Sequence, residues 1–209
     1  MLSQRMDVLL ALQEHAELLL ADGGSSDGTV EWLEQTSLPY ICCPSGRARQ
    51  MNAAAAIAQG NVLLFVHIDT LLGVTHVRAV QEAMQNASLI GGRFDVRLSG
   101  THPMFRIVER AINLRSRWTG VSTGDQCQFI RRACFEAMGG FPEIPLMEDV
   151  ALAKAMKQRG KQAYLRQQVE TSSRRWEKHG IIKTVWLMWK LRWLYWRGVA
   201  PEALARMYR

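Results

Sequence analysis

The apolar segment at residues 61–68, NVLLFVHI, places the strongest constraint on the fold. Its hydrophobic residues do not alternate with polar ones, which is typical of a strand that is buried on both faces of a sheet. Such a strand leaves no face for water, so helices must cover the sheet on both sides. The segment ends at Asp69. The sequence therefore predicts an α/β fold in which buried strands end in polar loops.

The same alternation of apolar runs and helical patterns continues along the chain. Apolar runs predict strands at 17–21 and 61–68, alternating residues predict one at 92–98, and a short strand is expected at 127–130. Helices are expected at 29–35, 50–59, 75–86, 103–118 and 148–159. Gly60 and Gly160 directly follow two of the predicted helices, as helix-ending glycines do. This order predicts a Rossmann-like, mostly parallel sheet with flanking helices, in which ligands bind at the carboxyl ends of the strands.

Composition excludes several classes of protein. With 48% hydrophobic residues, the chain can bury a core, which excludes disorder as its main state. It has no uncharged apolar run near the length that a membrane-spanning helix needs, and its first residues do not form a signal peptide. The four cysteines form no C-x-x-C motif, so we expect a reducing, cytoplasmic location.

The net charge of +7 is unevenly distributed. Residues 1–153 hold 12 Lys and Arg against 16 Asp and Glu, whereas residues 154–209 hold 14 against 3. The basic part also contains five of the seven tryptophans. An acidic body with a basic, Trp-rich end indicates an anionic surface as a partner, either phospholipid or nucleic acid.

The basic end itself predicts one amphipathic helix at 181–197. Its charges at 183, 190 and 197 recur every seven residues and form one narrow stripe, and Arg192 lies opposite that stripe. Trp combined with Lys and Arg is typical of the membrane headgroup zone, although packing on the domain is an equal alternative. We therefore expect a domain at 1–180, a helical tail at 181–209, and a peripheral location on the inner face of the plasma membrane.

Acidic residues follow the apolar strands or open a helix, at Asp22 with Asp27, at Asp69, and at Glu148 with Asp149. Any one of them alone is most often a helix cap or a turn residue. Several carboxylates at one edge of a sheet repel one another unless a cation lies between them. The set therefore favours a divalent metal that accompanies a phosphate-bearing ligand.

Six segments together resemble the family-2 glycosyltransferases, which have the GT-A fold. They are DGGSSDGT (22–29), GRARQMNAA (46–54), LLFVHIDT (63–70), GDQCQFIRR (124–132), GGFPEIPLMEDVAL (139–152) and SSRRWEKHG (172–180). Each is weak alone, but all six occur in the family's order and at suitable spacings. The chain is similar in particular to a small bacterial subgroup that ends in a Trp-rich basic helix.

The resemblance implies roles for residues that bind the donor. Asp22 matches the acid that reads the nucleotide base, and Arg49 and Asn52 are expected near the nucleotide. Asp69 matches the second acid of the D-x-D motif, which implies a Mg²⁺ or Mn²⁺ ion on the donor diphosphate. His67 replaces the first acid, and a neutral imidazole can still ligate a metal or donate to an oxygen, so metal dependence stays open.

The resemblance also implies the catalytic residues. Glu148 and Asp149 match the E-D pair, in which Asp149 acts as the general base that takes the proton from an acceptor hydroxyl. Arg175 and Trp176 match the R-W of a motif that processive sugar synthases carry. Ser172 occupies the position of that motif's Gln, which disfavours polymerisation. The implied activity is inverting transfer of a sugar from a nucleoside diphosphate to an acceptor, with a lipid-linked acceptor as one option.

The family normally opens with an apolar strand and a P-x-x-N-E turn, and no such segment occurs in this sequence. The resemblance places the first residues in the helix after that strand, which implies either a start further upstream or a truncated copy. Strands 17–21 and 61–68 should then flank the place of the absent strand. We expect a gap there, closure of the two strands, or a strand borrowed from elsewhere.

Other functions stay open at this point. A non-catalytic, membrane-associated scaffold of the same fold would explain His67 and the absent strand. A sugar nucleotidyltransferase would share the α/β plan and the metal, but it needs an N-terminal Gly-rich phosphate loop that this sequence lacks. Nucleic-acid binding is the least favoured, because the basic tail is interleaved with consecutive apolar residues.

Overall fold

The computed structural model describes residues 5–208. The helices are α1 (Met6–Gln13), α2 (Thr29–Glu34), α3 (Arg47–Ile57), α4 (Val74–Ala83), α5 (Pro103–Thr119), α6 (Arg132–Ala137), α7 (Glu148–Arg159), α8 (Arg174–His179), α9 (Ile181–Trp196) and α10 (Pro201–Tyr208). The strands are β1 (Leu20–Asp22), β2 (Tyr40–Cys42), β3 (Val62–Leu64), β4 (Thr70–Leu71), β5 (Leu89–Leu98), β6 (Phe129–Arg131) and β7 (Lys161–Thr171). The α/β class is confirmed, and the helix expected at 148–159 coincides with α7.

The strand directions differ from the prediction of a mostly parallel sheet. Five strands form one sheet in the order β3-β6-β5-β7-β4, and within it only the β5–β7 pair is parallel. Strands β1 and β2 form a separate parallel pair. The reason for the error is that strand direction depends on which segments pair in space, and a local apolar run carries no such information.

The longest pairing, between β5 and β7, positions the loops of the site. It runs from Leu89 opposite Lys161 to Leu98 opposite Thr171, with irregularities after Leu89 and after Phe94. Gly92 is required here, because a Cβ at this position would lie 2.2 Å from the carbonyl oxygen of Ala163. The pairing brings the end of β7 beside the end of β5, where α5 and α8 begin nearby.

The strands β1 and β3 do not pair with each other. Within residues 5–208, β1 pairs only with β2 and β3 only with β6, so the two strands do not close together. Their starts are nonetheless linked, because the Glu17 carboxylate accepts hydrogen bonds from the backbone N–H groups of Gln59 (2.8 Å) and Gly60 (3.1 Å). No strand in the described part of the chain pairs with both of them.

The expected helix at 181–197 is present as α9, and it begins after Gly180, at the predicted domain boundary. Leu191 of α9 and Leu204 of α10 are fully buried in a cluster with Leu146, Met147 and Val150. The C-terminal helices thus pack on the segment that leads into α7. Between residues 5 and 208, no helix is both long enough and apolar enough to cross a bilayer.

Candidate active site

The carboxylate of Asp149 lies in the first turn of α7 and is held by backbone N–H groups. Its Oδ2 atom accepts a hydrogen bond from Gly124 N at 2.6 Å, and its Oδ1 atom accepts one from Val150 N at 2.7 Å. The unpaired N–H groups at the start of a helix favour a negative charge there. The two hydrogen bonds fix the position of the carboxylate, and Asp149 is only half-buried.

Asp149 and His67 line one small cavity. Its other lining residues are Met51, Phe65, Gly124, Gln128 and Phe141. The ring of His67 lies so close to Gly124 that a Cβ on this glycine would be 2.3 Å from His67 Cε1. Gly124 therefore touches both side chains, since its backbone bonds Asp149 and its missing side chain makes room for the imidazole.

The pKa of His67 depends on its burial and on the charged residues around it. Burial, followed by the positive charge of Arg47, lowers the pKa of His67, while Asp149, Asp69 and Asp125 act in the opposite direction. The lowered pKa favours the neutral imidazole at pH 7. These charges show that the carboxylates predicted at separate places in the sequence, Asp69 and Asp149, share one electrostatic environment with His67.

Glu148 differs from its neighbour in being only 3% exposed. Burial, followed by the charge of Asp149, raises the pKa of the Glu148 carboxyl. The two acids of the E-D pair are thus set apart, with the carboxylate of Asp149 open to the cavity and that of Glu148 enclosed. Asp149 is therefore the more exposed of the two acids, and the catalytic roles of both stay predictions.

Asp69 lies on a second pocket, which has a volume of about 320 Å³. Ser172, Ser173 and Arg174, at the end of β7 and the start of α8, form another part of its wall. The backbone carbonyl of Asp69 accepts a hydrogen bond from Ser172 N at 3.2 Å, which joins the two segments. Glu170, Glu177 and Arg5 also line the pocket, so three acidic residues, several hydroxyl residues and two arginines share its wall.

The described residues contain no group of three His, Cys, Asp or Glu side chains that could hold a metal ion. A Mg²⁺ ion that accompanies a nucleotide is usually bound through one or two carboxylates together with the phosphates of the ligand. Asp69, which opens onto a pocket, provides a donor of this kind. The donor set thus fits a metal that arrives with the donor diphosphate, and it does not form a metal centre by itself.

Asp22 is 8% exposed and organises the loop that follows β1. Its Oδ1 atom accepts hydrogen bonds from Gly24 N and Ser25 N, both at 2.8 Å, and its Oδ2 atom accepts one from Ser25 Oγ at 2.5 Å. The bond from the Ser25 hydroxyl is the largest of the effects that lower the pKa of Asp22. In this structure Asp22 shapes its own loop, and its contact with a nucleotide base stays a prediction.

The residues expected near the nucleotide on α3 make specific protein contacts. Arg49 forms an exposed ion pair with Glu143, with 3.1 Å between Nε and Oε2. Asn52 donates to the carbonyl of Phe141 and accepts from its N–H, both at 2.9 Å. Asn52 therefore fixes the 139–141 loop over the cavity of Asp149. Nucleotide contacts of Arg49 and Asn52 stay predictions.

The motif residues Arg175 and Trp176 contact the C-terminal part of the chain and the core. The guanidinium of Arg175 donates to the carbonyl of Tyr208 and lies 3.6 Å from the centre of its ring. Trp176 packs on a cluster formed by Leu98, Phe105 and Val108. The residues of this segment that line the pocket of Asp69 are instead Ser172, Ser173, Arg174 and Glu177. Nucleotide binding by Arg175 and Trp176 stays a prediction.

Helix α9 reaches the neighbourhood of Asp149. The pKa of Tyr195 is raised by burial and then by the charge of Asp149, and Lys154 lies 4.7 Å from the centre of the Tyr195 ring. Burial, followed by the positive charge of Arg192, lowers the pKa of Arg115 to about 10, while Asp125 and Asp149 act to raise it. The Trp-rich helix therefore brings Tyr195 close to the candidate base, and Arg192 close to Arg115.

Several residues around the site were not predicted from the sequence. They are Arg47, Arg115, Asp125, Arg174 and Tyr195. Asp125 and Arg174 lie within the motif segments, and Arg47 begins α3, so their positions next to motif residues were the available signal. Nothing in the local sequence indicates that Arg115 and Tyr195, on α5 and α9, approach Asp149.

Known proteins support the architecture described above. The model of the family described as glycosyl transferase family 2 matches residues 2–139, about two thirds of the chain. No curated protein sequence matches this chain. Among solved structures, S. aureus TarS 1–349 is 15% identical, with a TM-score of 0.63, and the match covers 82% of this chain and 57% of that one. The same TarS fragment is also known in complex with UDP-GlcNAc.

Two further solved structures have a similar fold. The mannosyltransferase PcManGT from Pyrobaculum calidifontis, in complex with GDP-Man and Mn²⁺, is 18% identical with a TM-score of 0.53, and the match covers 80% of this chain and 52% of that one. Mannosyl-3-phosphoglycerate synthase from Rubrobacter xylanophilus is 16% identical with a TM-score of 0.56, and the match covers 93% and 70% of the two chains. The chain thus spans little more than half the length of the first two. It has the GT-A fold, and it belongs to glycosyl transferase family 2.

Proposed function

We propose that this glycosyltransferase transfers a sugar from a nucleoside diphosphate to an acceptor hydroxyl with inversion, at the surface of a membrane. The observation that carries the proposal is the Asp149 carboxylate, which two backbone N–H groups fix at the edge of a cavity beside His67. A sugar hydroxyl is barely acidic, so it needs a base as it attacks the anomeric carbon. One base acting in one direct displacement inverts the anomeric centre.

The leaving nucleoside diphosphate gains negative charge as the bond to the sugar breaks. Arg47, at the start of α3, and Arg174, on the pocket of Asp69, are the cations that we assign to this charge. Fixed positive groups that await a developing charge need little reorganisation during the reaction, which is the usual source of such stabilisation. Arg115 adds a buried guanidinium near Asp149, and its Nε and Nη2 atoms have no hydrogen-bond partner among the described residues.

We propose that Asp69 holds a divalent ion, either Mg²⁺ or Mn²⁺, together with phosphate oxygens of the donor. When bound, such an ion would offset charge on the diphosphate. The lowered pKa of His67 favours the neutral imidazole. One of its ring nitrogens can then donate a hydrogen bond to an oxygen of the nucleotide sugar, and the other can accept one. In support, the similar PcManGT is known in complex with GDP-Man and Mn²⁺.

We place the reaction at the inner face of the plasma membrane because of α9. Its tryptophans are exposed, and Lys183, Lys190 and Arg197 run beside them. A basic residue near an anionic leaflet contributes about 1 kcal/mol to attachment. The same helix carries Tyr195 towards Asp149, so an acceptor that lies in the membrane could reach the base. We therefore propose a lipid-linked acceptor.

A non-catalytic scaffold of the same fold is the second candidate. It is favoured by the absence of pairing between β1 and β3, because within residues 5–208 each of these strands pairs along one edge only. A scaffold would keep the membrane contact and lack turnover.

Incubation with UDP- and GDP-sugars, with and without Mn²⁺, in the presence of anionic vesicles that contain lipid extract tests the proposal. We expect release of the nucleoside diphosphate and formation of a glycosylated lipid, and NMR of the new linkage should show the inverted anomer. Calorimetric titration with UDP and GDP runs in parallel. Nucleotide binding without transfer from any donor would favour the scaffold, and transfer with retention would refute the direct displacement.

A further inference from the structure

The exposed face of α9 is a continuous stripe of large apolar side chains. At 100° per residue, Ile182, Trp186, Trp189, Trp193 and Trp196 all lie within about 40° of one direction. They are between 55% and 73% exposed. The opposite direction points to Leu191, which is fully buried. The helix is therefore fixed to the protein by one side and presents tryptophans on the other.

Helix α5 carries a second stripe of the same kind. Ile107, Leu114 and Trp118 lie within about 20° of one direction, and they are between 52% and 85% exposed. Phe105, about 160° from this direction, and Val108, about 100° from it, are buried. A large apolar residue that is exposed singly is normal on a protein surface, but three in one stripe on a helix are not explained by the fold.

The two helices lie side by side and run in the same direction. Phe105 and Val108, in the first half of α5, form a cluster with Ile181 and Val185 at the start of α9. Further along, Arg115 of α5 lies near enough to Arg192 of α9 for the second charge to lower the pKa of the first. Just beyond the end of α5, Val121 packs in the cluster of Leu191.

This parallel arrangement puts both stripes on the same side of the pair. On α5, the residues that face α9 follow the exposed stripe by about 80–160° around the helix, and on α9 the residues that face α5 precede its stripe by about 60–100°. For two parallel helices, contacts on these opposite flanks turn the two exposed directions the same way. In an antiparallel pair they would point to opposite sides.

Basic residues border the combined surface. Lys183, Lys190 and Arg197 follow the α9 stripe by about 60–100°, on the side away from α5. Arg110 borders the α5 stripe on its outer flank, and it is exposed. An apolar band that is rich in tryptophan and has cations along its edges matches the order of a bilayer interface, in which acyl chains are bordered by anionic headgroups.

We propose that Ile107, Leu114 and Trp118 of α5 join Ile182, Trp186, Trp189, Trp193 and Trp196 of α9 in one two-helix platform that docks on an anionic phospholipid bilayer. This inference rests on the membrane attachment in the proposed function and extends it to α5, a helix of the catalytic domain. Attachment by two parallel helices fixes the orientation of the enzyme more firmly than one, because the second line of contact opposes tilting about the axis of α9.

The test measures partition of the full chain onto vesicles of phosphatidylcholine and phosphatidylglycerol by co-sedimentation. Ile107→Ser and Trp118→Ser probe α5, Trp189→Ser with Trp193→Ser probes α9, and Ile57→Ser is the matched control, since Ile57 is 51% exposed on α3 and outside the platform. All four side chains to be changed on the platform are exposed, so folding should be retained, and thermal melting checks this.

We expect Trp118→Ser to lower the partition constant roughly tenfold, the factor that corresponds to about 1.4 kcal/mol. Ile107→Ser should lower it less, and Ile57→Ser should leave it unchanged. If both α5 variants bind vesicles like the wild type while the α9 variant does not, α9 attaches alone, so the platform is wrong and membrane attachment stands. If the wild type does not bind vesicles, the platform and the membrane attachment are both wrong. Glycosyl transfer to a soluble acceptor then tests the transferase activity separately.

A second copy of the chain is the alternative occupant of this surface. Analytical ultracentrifugation without vesicles would then show a dimer that Trp118→Ser dissociates, while vesicle binding stays unchanged. That result would overturn the proposal. A monomer that binds vesicles through both helices supports it.

Discussion

The backbone N–H of Gly124 donates to Oδ2 of Asp149 over 2.6 Å, while the space where a Cβ would lie on the same glycine is occupied by the ring of His67. One residue without a side chain therefore contacts both Asp149 and His67 and limits their positions. The candidate base is held by hydrogen bonds from the backbone and not by a neighbouring cation. Each carboxylate oxygen accepts one of these bonds and keeps a second lone pair, which can accept a proton from the substrate.

Asp149→Asn should lower turnover by about 10²–10⁴-fold, the usual contribution of a general base. Nucleotide affinity should change little, because the base is needed only in the transition state. Turnover with the active donor and calorimetry with UDP or GDP measure the two effects. Glu136→Gln, an exposed carboxylate on α6, is the control. Equal losses of binding and turnover would instead indicate that Asp149 mainly holds the loop of Gly124.

Gly124→Ala should displace the imidazole of His67, because its Cβ would lie 2.3 Å from Cε1 and 2.6 Å from Nε2 of the ring. Overpacking of this kind costs about 1–3 kcal/mol of the free energy of unfolding. Thermal melting and the NMR signals of the His67 ring report the change. Gly73→Ala is the matched control, since nothing lies within 4 Å of its Cβ position and its backbone is extended. Unchanged His67 signals in Gly124→Ala would contradict the described packing.

Glu148 should make stability depend on pH. Its pKa is raised in the folded state, so the folded protein keeps this proton to a higher pH than the unfolded chain, whose pKa is near 4.5. Stability is therefore lost as pH rises from that value through the raised pKa. Glu148→Gln should melt higher than the wild type at about pH 8, with the difference vanishing below the ordinary pKa of Glu. A variant that melts lower than the wild type at high pH would mean that the ionised carboxylate is needed for stability.

Arg47 and Arg49 allow a comparison of two neighbouring arginines on one helix. The positive charge of Arg47 acts to lower the pKa of both His67 and Glu148, whereas Arg49 is paired with Glu143 at the surface. Arg47→Gln should weaken binding of UDP or GDP by roughly three- to tenfold, and Arg49→Gln should have a smaller effect, because exposed pairs contribute little. Calorimetric titration decides between them. A larger loss in Arg49→Gln would support the nucleotide contact that the sequence motif implies for Arg49.

The sequence predicted those elements whose signals are local. Both ends of helix α7 were placed from local signals. These are the acids Glu148 and Asp149 in its first turn and Gly160 directly after its last residue. Strand β7 was missed because its residues, KQAYLRQQVET, are largely polar and resemble neither a buried strand nor an alternating one. It becomes a strand by pairing with β5 along its length, and no pattern within residues 161–171 records that pairing.

The residues of the site were also predicted only in part, and again the local signals were readable while the long-range contacts were not. Asp149, His67 and Asp69 were recognisable because each ends a strand or opens a helix, and the structure places them in one electrostatic environment. Arg175 and Trp176 were chosen by motif position, but their contacts are with Tyr208 and with the Phe105 cluster. Those contacts depend on where α10 and α5 pack, and tertiary placement of this kind cannot be derived from the motif.

The burial of Leu191 and Leu204 against Leu146, Met147 and Val150 makes the C-terminal helices part of the cooperative folding unit. Removing these helices would expose the apolar residues at the first turn of α7. A truncated chain would therefore lose catalysis through disorder of the Asp149 region, even with a soluble acceptor, and its loss of vesicle binding would not by itself identify a docking helix. In native-state hydrogen exchange, the backbone amides of α9 and α7 should open together, as one segment of the protein's unfolding.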